Sequence, residues 1–436
     1  MKLLKILAFL IFPLMALACS SNDDPGPADP EDSTDVDVDP NVKYPSYTKL
    51  VMAGYQGWFA AEGDESNRGW YHYQKNGCGF FPGCTNVDLW PDVREYTKTY
   101  ETAFQYPDGS SAHVYSPYDE STVDLHFKWM KEYGLDGVHM QRFVGEIKPS
   151  NASGKRHFNK VLENALKAAK KYERAISVMY DLSGSSPADV AYLYDDWEEL
   201  QALFHLQDSK ENPTYLHHRG KPLVVIWGVG FNDNRAYTTA DVTALVDKLK
   251  ATGKVSIMLG VPYYWRTNGN DTEKDAALHA LIRKADIIMP WAVGRYDIGG
   301  YSPNNVGEDV KWCRANGVDY VPLVFPGFSW GNMHSDASLY NSIPRLQGDF
   351  LWRQIWGAKL QGATSLYVAM FDEVDEGTAI FKVNNEGHVP LNGDTGLKFV
   401  GIEDNLGTDY YLWLVGEGAR WFHGENGYTI AKPIRK

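Results

Sequence analysis

The chain has 436 residues, of which 44% are hydrophobic, 14% aromatic and 22% charged, which excludes collagen-like, coiled-coil and wholly disordered classes and leaves ample surface for a core. The formal net charge is −14, and eight of the acids (Asp23, Asp24, Asp29, Glu31, Asp32, Asp35, Asp37 and Asp39) fall in one stretch without a basic residue. No basic stripe is left to meet a phosphate backbone, so nucleic acid is not the expected partner.

Lys2 and Lys5 precede an apolar run over 6–17, and Ala16-Leu17-Ala18 lead into Cys19. A charged start, a short apolar run and small residues predict a signal peptide over 1–18. Cys19 after Ala18 resembles a bacterial lipoprotein box, which implies lipidation at Cys19; a plain signal cut near the same place is the other reading. Ser20-Ser21-Asn22-Asp23-Asp24 resembles the acidic signal of surface lipoproteins in Gram-negative glycan degraders, which implies an exported, outer-membrane location. The Pro/Asp/Ser stretch over 19–45 has too little apolar area to fold and is expected to be a flexible tether. No later apolar run reaches the ~18 residues that cross a bilayer, so the membrane is expected to be met through the lipid alone.

From residue 49 onward, β-rich apolar runs alternate with amphipathic stretches. The periodicity predicts strands over 50–58, 137–143, 175–181, 223–227, 255–261, 287–291, 320–325 and 365–371. It predicts helices over 121–133, 159–172, 189–204, 239–251, 273–283, 307–315 and 345–360. Eight strands alternating with helices predict an α/β fold, a (β/α)8 TIM barrel, within residues 46–436. Residues 58–118 form a long aromatic, glycine-rich insertion after the first strand, of a length that is usually functional. The segment from about 381 is expected to pack as an appendage.

A barrel of this kind places its site where the strands end. The residues there include Tyr55, Trp58, Gln141, Arg142, Asp181, Trp227, Tyr263, Tyr264, Trp291 and Phe325. Aromatic rings stack on pyranose faces, and carboxylates or amides read hydroxyls, so Trp58, Gln141, Asp181, Trp227 and Trp291 are candidate sugar contacts. The same rings also serve simply to close a barrel, and Asp181 equally suits the turn that follows it.

The strongest chemical motif is Phe371-Asp372-Glu373-Val374-Asp375-Glu376-Gly377-Thr378, after the eighth predicted strand. Four carboxylates in five residues repel one another, and crowding raises the pKa of some members. Glycosidic cleavage needs one protonated acid and one ionised carboxylate beside the same bond, so paired acids are its signature. A solvated acidic loop and a calcium site are the alternatives. No resident metal and no cofactor are expected: Gly228-Val229-Gly230 lacks the third glycine and acidic partner of a dinucleotide site, and His217-His218 reads as a turn.

Glu-x-x-Glu-Gly-Thr after a Tyr-Val-x-x-Phe strand resembles glycoside hydrolase family 99, the retaining endo-acting α-mannosidases. Pro326-Gly327-Phe328, Arg345 with Trp352, Gly134-Leu135-Asp136-Gly137 and the run 215–225 extend the likeness thinly along the barrel. Asp372, Val374 and Asp375 stand where the family has Asn, Trp and His, as in the broader group between families 71 and 99. The resemblance implies Glu373 as base and Glu376 as general acid/base. In that chemistry the base deprotonates the sugar 2-hydroxyl, a 1,2-anhydro sugar forms, and water then opens it with retention. It also implies that Arg345 and Tyr55 bind substrate hydroxyls.

Gly327-Phe328-Ser329-Trp330-Gly331 fits the nucleophile-elbow pattern of serine hydrolases, with Asp375 and His388 downstream, but the sequence after it reads as loop where an elbow needs a helix. Cys78 and Cys84 are close enough for a disulfide in an exported chain, and Cys313 reads as a buried thiol. Together these readings point to a retaining glycosidase on an α-linked, mannan-like polysaccharide or oligosaccharide, cut internally if the insertion makes a long cleft. A surface glycan-binding protein that has lost catalysis, and a serine esterase, are the alternatives.

Overall fold

The computed structural model describes residues 39–435; the expected signal segment, Cys19 and the tether as far as residue 38 lie outside the described residues. Residues 39–45, expected to belong to the tether, are bound to the folded body. The Lys43 N–H donates to the Pro213 carbonyl, the His217 N–H to that of Tyr44, and the Tyr44 hydroxyl to that of Glu173.

The barrel strands are β1 (Val51–Tyr55), β2 (Gly137–Phe143), β3 (Ala175–Asp181), β4 (Lys221–Trp227), β5 (Ser256–Pro262), β6 (Ile287–Trp291), β7 in two pieces (Asp319–Tyr320 and Leu323–Val324) and β8 (Leu366–Val368). All pair in parallel with their chain neighbours, and β1 also pairs with β8, so the sheet closes. The seventh strand was expected unbroken over 320–325. Pro322 has no N–H to donate and interrupts it. The Val321 N–H still reaches Ile288 and the Pro322 carbonyl still accepts from Tyr367, which keeps the ring shut across the break.

The main helices are α1 (Glu120–Tyr133), α2 (Ala152–Tyr172), α3 (Pro187–Phe204), α4 (Thr239–Ala251), α5 (Ala277–Ile282), α6 (Pro303–Asn316), α7 (Asp349–Leu360) and α8 (Tyr410–His423). Side chains cap two of them reciprocally, Ser186 with Asp189 at α3 and Thr238 with Asp241 at α4. The second helix starts seven residues before its expected residue 159, because the Asn151 side chain accepts the Gly154 N–H at 3.0 Å and caps a start at Ala152.

The segment from about 381 is no appendage to this ring. Its helix α8 fills the gap between α7 and α1: Gly416 lies so close to the Tyr133 carbonyl that a Cβ would stand 1.8 Å from it, and Gly418 faces Ile355. Leu412, Leu414, Val415 and Phe422 are buried in the same core as Phe127, Met130 and Ile355.

Two apolar cores follow from the period-2 alternation of the strands. Met52, Met179, Val225, Met258, Met289 and Tyr367 fill the barrel interior. Val51, Val138, Val178, Val224 and Ile257 point outward and pack with helix residues such as Phe127, Leu162, Leu193 and Val246. Arg142 also points outward, where its guanidinium grips Asp196 of α3 at 2.6 and 2.7 Å, with the Tyr180 hydroxyl as the carboxylate's further donor. The insertion after β1 carries an antiparallel ribbon (Tyr100–Gln105 with Ser111–Val114) and its own buried rings, among them Tyr73, Phe80, Trp90 and Tyr115. It is fastened to the end of the barrel by the Asp88 and Leu89 N–H groups, which both donate to the Val374 carbonyl.

Candidate active site

The loop after β8 is bound to the exit of β1. The Phe371 N–H donates to the Gly54 carbonyl, and the Asp372 carboxylate accepts the N–H groups of Gln56 and Gly57 at 2.7 and 3.0 Å. Gly57 makes this turn at φ 61, a left-handed conformation that suits glycine. The Glu373 carboxylate accepts from the Gln56 side-chain amide and from the Thr378 hydroxyl. The Asp375 carboxylate lies 3.5 Å from His72 Nδ1. Among the described residues no hydrogen-bond donor reaches the Glu376 carboxyl, which is also the member of the four with some exposure to solvent.

Burial is the largest influence on all four acids, because a low-dielectric surrounding disfavours the charged form. It pushes Asp372 up to about 7, against the two N–H donors from Gln56 and Gly57. It raises Asp375 to about 7 as well, and Glu376 to about 7 with help from the charge on Asp375. Glu373 is pushed well above the carboxylate range by burial and then by the charges of Glu376 and Asp375, while Thr378 and Gln56 pull it back. The cluster therefore holds protons near neutrality. The donors are unequally shared: three carboxylates are fed by N–H or O–H groups and Glu376 is not. Hydrogen bonds to the charged form favour ionisation; Glu373 has such donors in Thr378 and Gln56, and Glu376 has none.

A cavity of ≈ 360 Å³ opens beside this loop, lined by Trp58, His72, Lys75, Asn76, Asn86, Met333, Asp375 and Glu376. Trp58 thus shares the cavity with Glu376, its ring lying 3.8 Å from that of His72 at 6° and 4.8 Å from Phe143 on the other side. Gln141 points into the barrel and donates to the Tyr367 hydroxyl at 3.4 Å; its own oxygen is buried without a partner. Burial and then the charges of Glu373 and Asp181 raise the Tyr367 hydroxyl well above its ordinary value, so those two acids share the barrel mouth. Asp181 accepts the Ser183 N–H at 2.7 Å and thereby also shapes its turn. Trp227 and Trp291 meet edge to face at 5.1 Å at the ends of β4 and β6, and the Trp227 indole N–H is buried unpaired.

Two expected substrate contacts are placed elsewhere. Tyr55 faces out of the barrel, fully buried against Phe371, with its hydroxyl 2.8 Å from His126 of α1. Alternation decides this: Gln56, one residue on, is the side chain that turns inward. Arg345 is buried behind the acidic loop, over the Tyr411 ring at 4.5 Å, where it donates to the carbonyls of Gly377 and Ala379 at 2.9 and 2.7 Å. It positions the loop and is not part of the cavity wall. Gln56 and His72 escaped the sequence reading, and Thr378 was read only as part of the acidic motif. The spacing of Gln56 to Trp58 carried the one available signal, since period-2 alternation sets both against Tyr55.

The Sγ atoms of Cys78 and Cys84 are bonded, with their Cα atoms 5.9 Å apart, and close a loop whose neighbours Lys75 and Asn76 line the cavity. Cys313 is a buried free thiol. Ser329 is buried; it donates to Asp88 at 2.5 Å and accepts the Asn341 N–H, with no imidazole against it. A four-residue helix, Gly331–His334, does follow it where loop was expected. His388 lies instead on the Tyr106 ring. We expect a serine-directed phosphonate to leave Ser329 unlabelled in the folded protein, as read by intact mass; labelling there would restore the esterase reading. No group of three or more His, Cys, Asp or Glu side chains among the described residues is arranged to hold a metal ion. No described helix is long and apolar enough to cross a membrane.

No protein family's sequence profile matches the chain, and no curated protein matches it. Solved structures do. An endo-alpha-mannosidase of glycoside hydrolase family 99 from Bacteroides thetaiotaomicron is similar to it with a TM-score of 0.61 at 15% identity, over 87% of this chain and 99% of that one. The same enzyme in complex with bis-tris-propane gives 0.60 over 87% and 98%. At this identity the likeness is one of fold: a (β/α)8 barrel of the kind found in that enzyme.

Proposed function

We propose that the protein is a retaining glycoside hydrolase of α-linked, mannan-like glycans, with Glu373 as base and Glu376 as general acid/base. The observation that carries this reading is the unequal treatment of two glutamates three residues apart. Glu373 is fed by two donors at the barrel mouth, and Glu376 reaches the cavity without one.

In this mechanism the Glu373 carboxylate takes the proton of the sugar 2-hydroxyl, whose oxygen attacks the anomeric carbon as the glycosidic bond breaks. Glu376 gives its proton to the departing oxygen. It then accepts a proton from the water that opens the 1,2-anhydro ring, while Glu373 returns its proton to the 2-oxygen, so configuration is retained and both glutamates are reset. Burial opposes ionisation of Glu373, but a protonated Glu376 removes one of the charges that oppose it. The proton on one glutamate thus helps make the other a base. Trp58 and His72 line the cavity that Glu376 borders and supply its aromatic wall. Export and lipidation at Cys19 remain part of the proposal and would bring the enzyme to glycans outside the cell.

The test is hydrolysis of a panel of α- and β-linked glycans, with the product anomer followed by NMR. Retention on an α-mannan fragment is expected, with the rate falling as pH rises through about 7, where Glu376 loses its proton. Glycan binding without cleavage at any pH would replace the enzyme by a tethered lectin.

A further inference from the structure

Among the residues that line the cavity beside Glu376, Lys75 is the one lysine or arginine. Its backbone is fixed next to the disulfide loop: its N–H donates to the Gly79 carbonyl at 2.8 Å, and its carbonyl accepts the N–H groups of Cys78 and Gly79. The ammonium donates to the Asn332 carbonyl at 2.8 Å and to the Ser335 hydroxyl. Both acceptors are neutral, and an ammonium has three N–H groups, so one is left over. At Lys98 and Lys155 burial is outweighed by bonds to Asp119 and Glu199. At Lys75 burial acts alone and lowers the pKa, with no carboxylate among the described residues to oppose it. A cation partly withdrawn from water without a counter-charge carries a cost that an anionic ligand offsets.

The rest of the wall is rich in donors. Trp58 has a buried indole N–H without a partner, and Asn76 and Asn86 add side-chain amides. Burial and then the Arg68 charge lower His72 to about 3, so its ring is uncharged. Asp375 and Glu376, the acids of the wall, are raised to about 7 and hold protons in mildly acidic solution. Asp88, behind them, is raised to about 6 and is bound by Ser329, Gly331 and Asn332. Arg68 is paired with Glu146.

The two glutamates also give the cavity a direction. Glu373, the base for the 2-hydroxyl of the sugar whose bond breaks, is not part of this wall; Glu376, which serves the departing oxygen, is. The cavity is therefore on the side of the departing sugar.

We propose that this cavity is a subsite for a departing sugar that carries an anionic substituent (a carboxylate, sulfate or phosphate), with the Lys75 ammonium as its partner. The direction of departure rests on the glycosidase reading; the binding of an anionic sugar does not.

The experiment is calorimetric titration of the full chain at about pH 5.5, where the raised acids hold their protons. The ligands are mannose, mannuronate, mannose 6-sulfate and mannose 6-phosphate, with inorganic sulfate and phosphate as sugar-free controls. At least one anionic sugar is expected to bind about 10-fold or more tighter than mannose, the factor that a charged hydrogen bond supplies. Which of the three binds best identifies the substituent. The advantage should shrink as salt is added, disappear in Lys75→Met and largely survive in Lys75→Arg. Three results overturn the proposal: anionic sugars that bind no tighter than mannose, failure of all four to bind included; an advantage that persists in Lys75→Met; and inorganic anions that bind as tightly as their sugars. If Lys75→Met does not fold, Lys75→Gln replaces it, and the wild-type comparison decides by itself. Cleavage is not read, so a missing preference leaves the glycosidase reading standing. A preference in a chain that cleaves nothing would place the same subsite in a lectin.

Discussion

Replacing Glu376 by Gln should lower kcat on an unactivated glycan by about 10²–10⁴-fold, the range that a positioned proton donor contributes. The loss in kcat/KM, which reports the bond-breaking step before Glu376 is needed as base, should largely vanish on a substrate with a good leaving group such as dinitrophenolate, which departs without a proton. Glu373→Gln should lose activity on both substrates, because deprotonation of the 2-hydroxyl is needed whatever leaves. Equal loss on both substrates for both variants would remove the assignment of acid and base. Gln keeps the shape of each side chain, and circular dichroism should confirm an intact fold. Stability carries a second signature. Glu376 is raised from 4.5 to about 7 by burial and Asp375, so the folded chain holds a proton that the unfolded chain releases between those values. Stability contributed by this group is therefore present below about pH 4.5 and is lost as pH rises through about 7. Denaturant midpoints across that window should fall less steeply in Glu376→Gln than in the wild type.

Arg345→Met should cost about 2–3 kcal/mol in urea unfolding, because two carbonyls, those of Gly377 and Ala379, lose a charged donor inside the protein. Met fills much of the volume of the arginine stem, so the loss reports the hydrogen bonds and the packing of the guanidinium on Tyr411. Lysine should rescue little, since a point charge does not bridge two acceptors as a planar fork does. Activity should fall through kcat, by about 10²-fold if the loop moves ~1 Å. A rise in KM with stability unchanged would instead return Arg345 to the substrate.

Much of the barrel was legible because its signals are local. The strand bounds of β2, β3 and β6 follow from short β-rich runs that are buried on both faces, as a parallel sheet requires. What escaped depends on distant partners. Pro322 looked compatible with a strand interior until its missing donor divided β7. Helix α8 carries an amphipathic pattern, but only Tyr133 and Ile355, far away in sequence, make it the closing helix of the ring. In the site, the acidic motif stood out by composition, whereas Gln56 and His72 are ordinary residues whose roles arise from the carboxylates that they meet. Tyr55 and Arg345 show the opposite error: residue types that suit a sugar were turned away by strand parity and by the backbone carbonyls of their own loop.

The pairing of β1 with β8 has a consequence for the order in which the protein can become active. The Gln56 and Gly57 N–H groups meet Asp372 across more than three hundred residues of chain, and Asp88 and Leu89 wait for Val374 in the same way. A ribosome making this chain will have released the whole insertion and six strands long before the acids exist. Contacts of such sequence separation form late and slowly. The chemistry is therefore born with the final closure of the ring, and no partly made barrel carries the assembled acids.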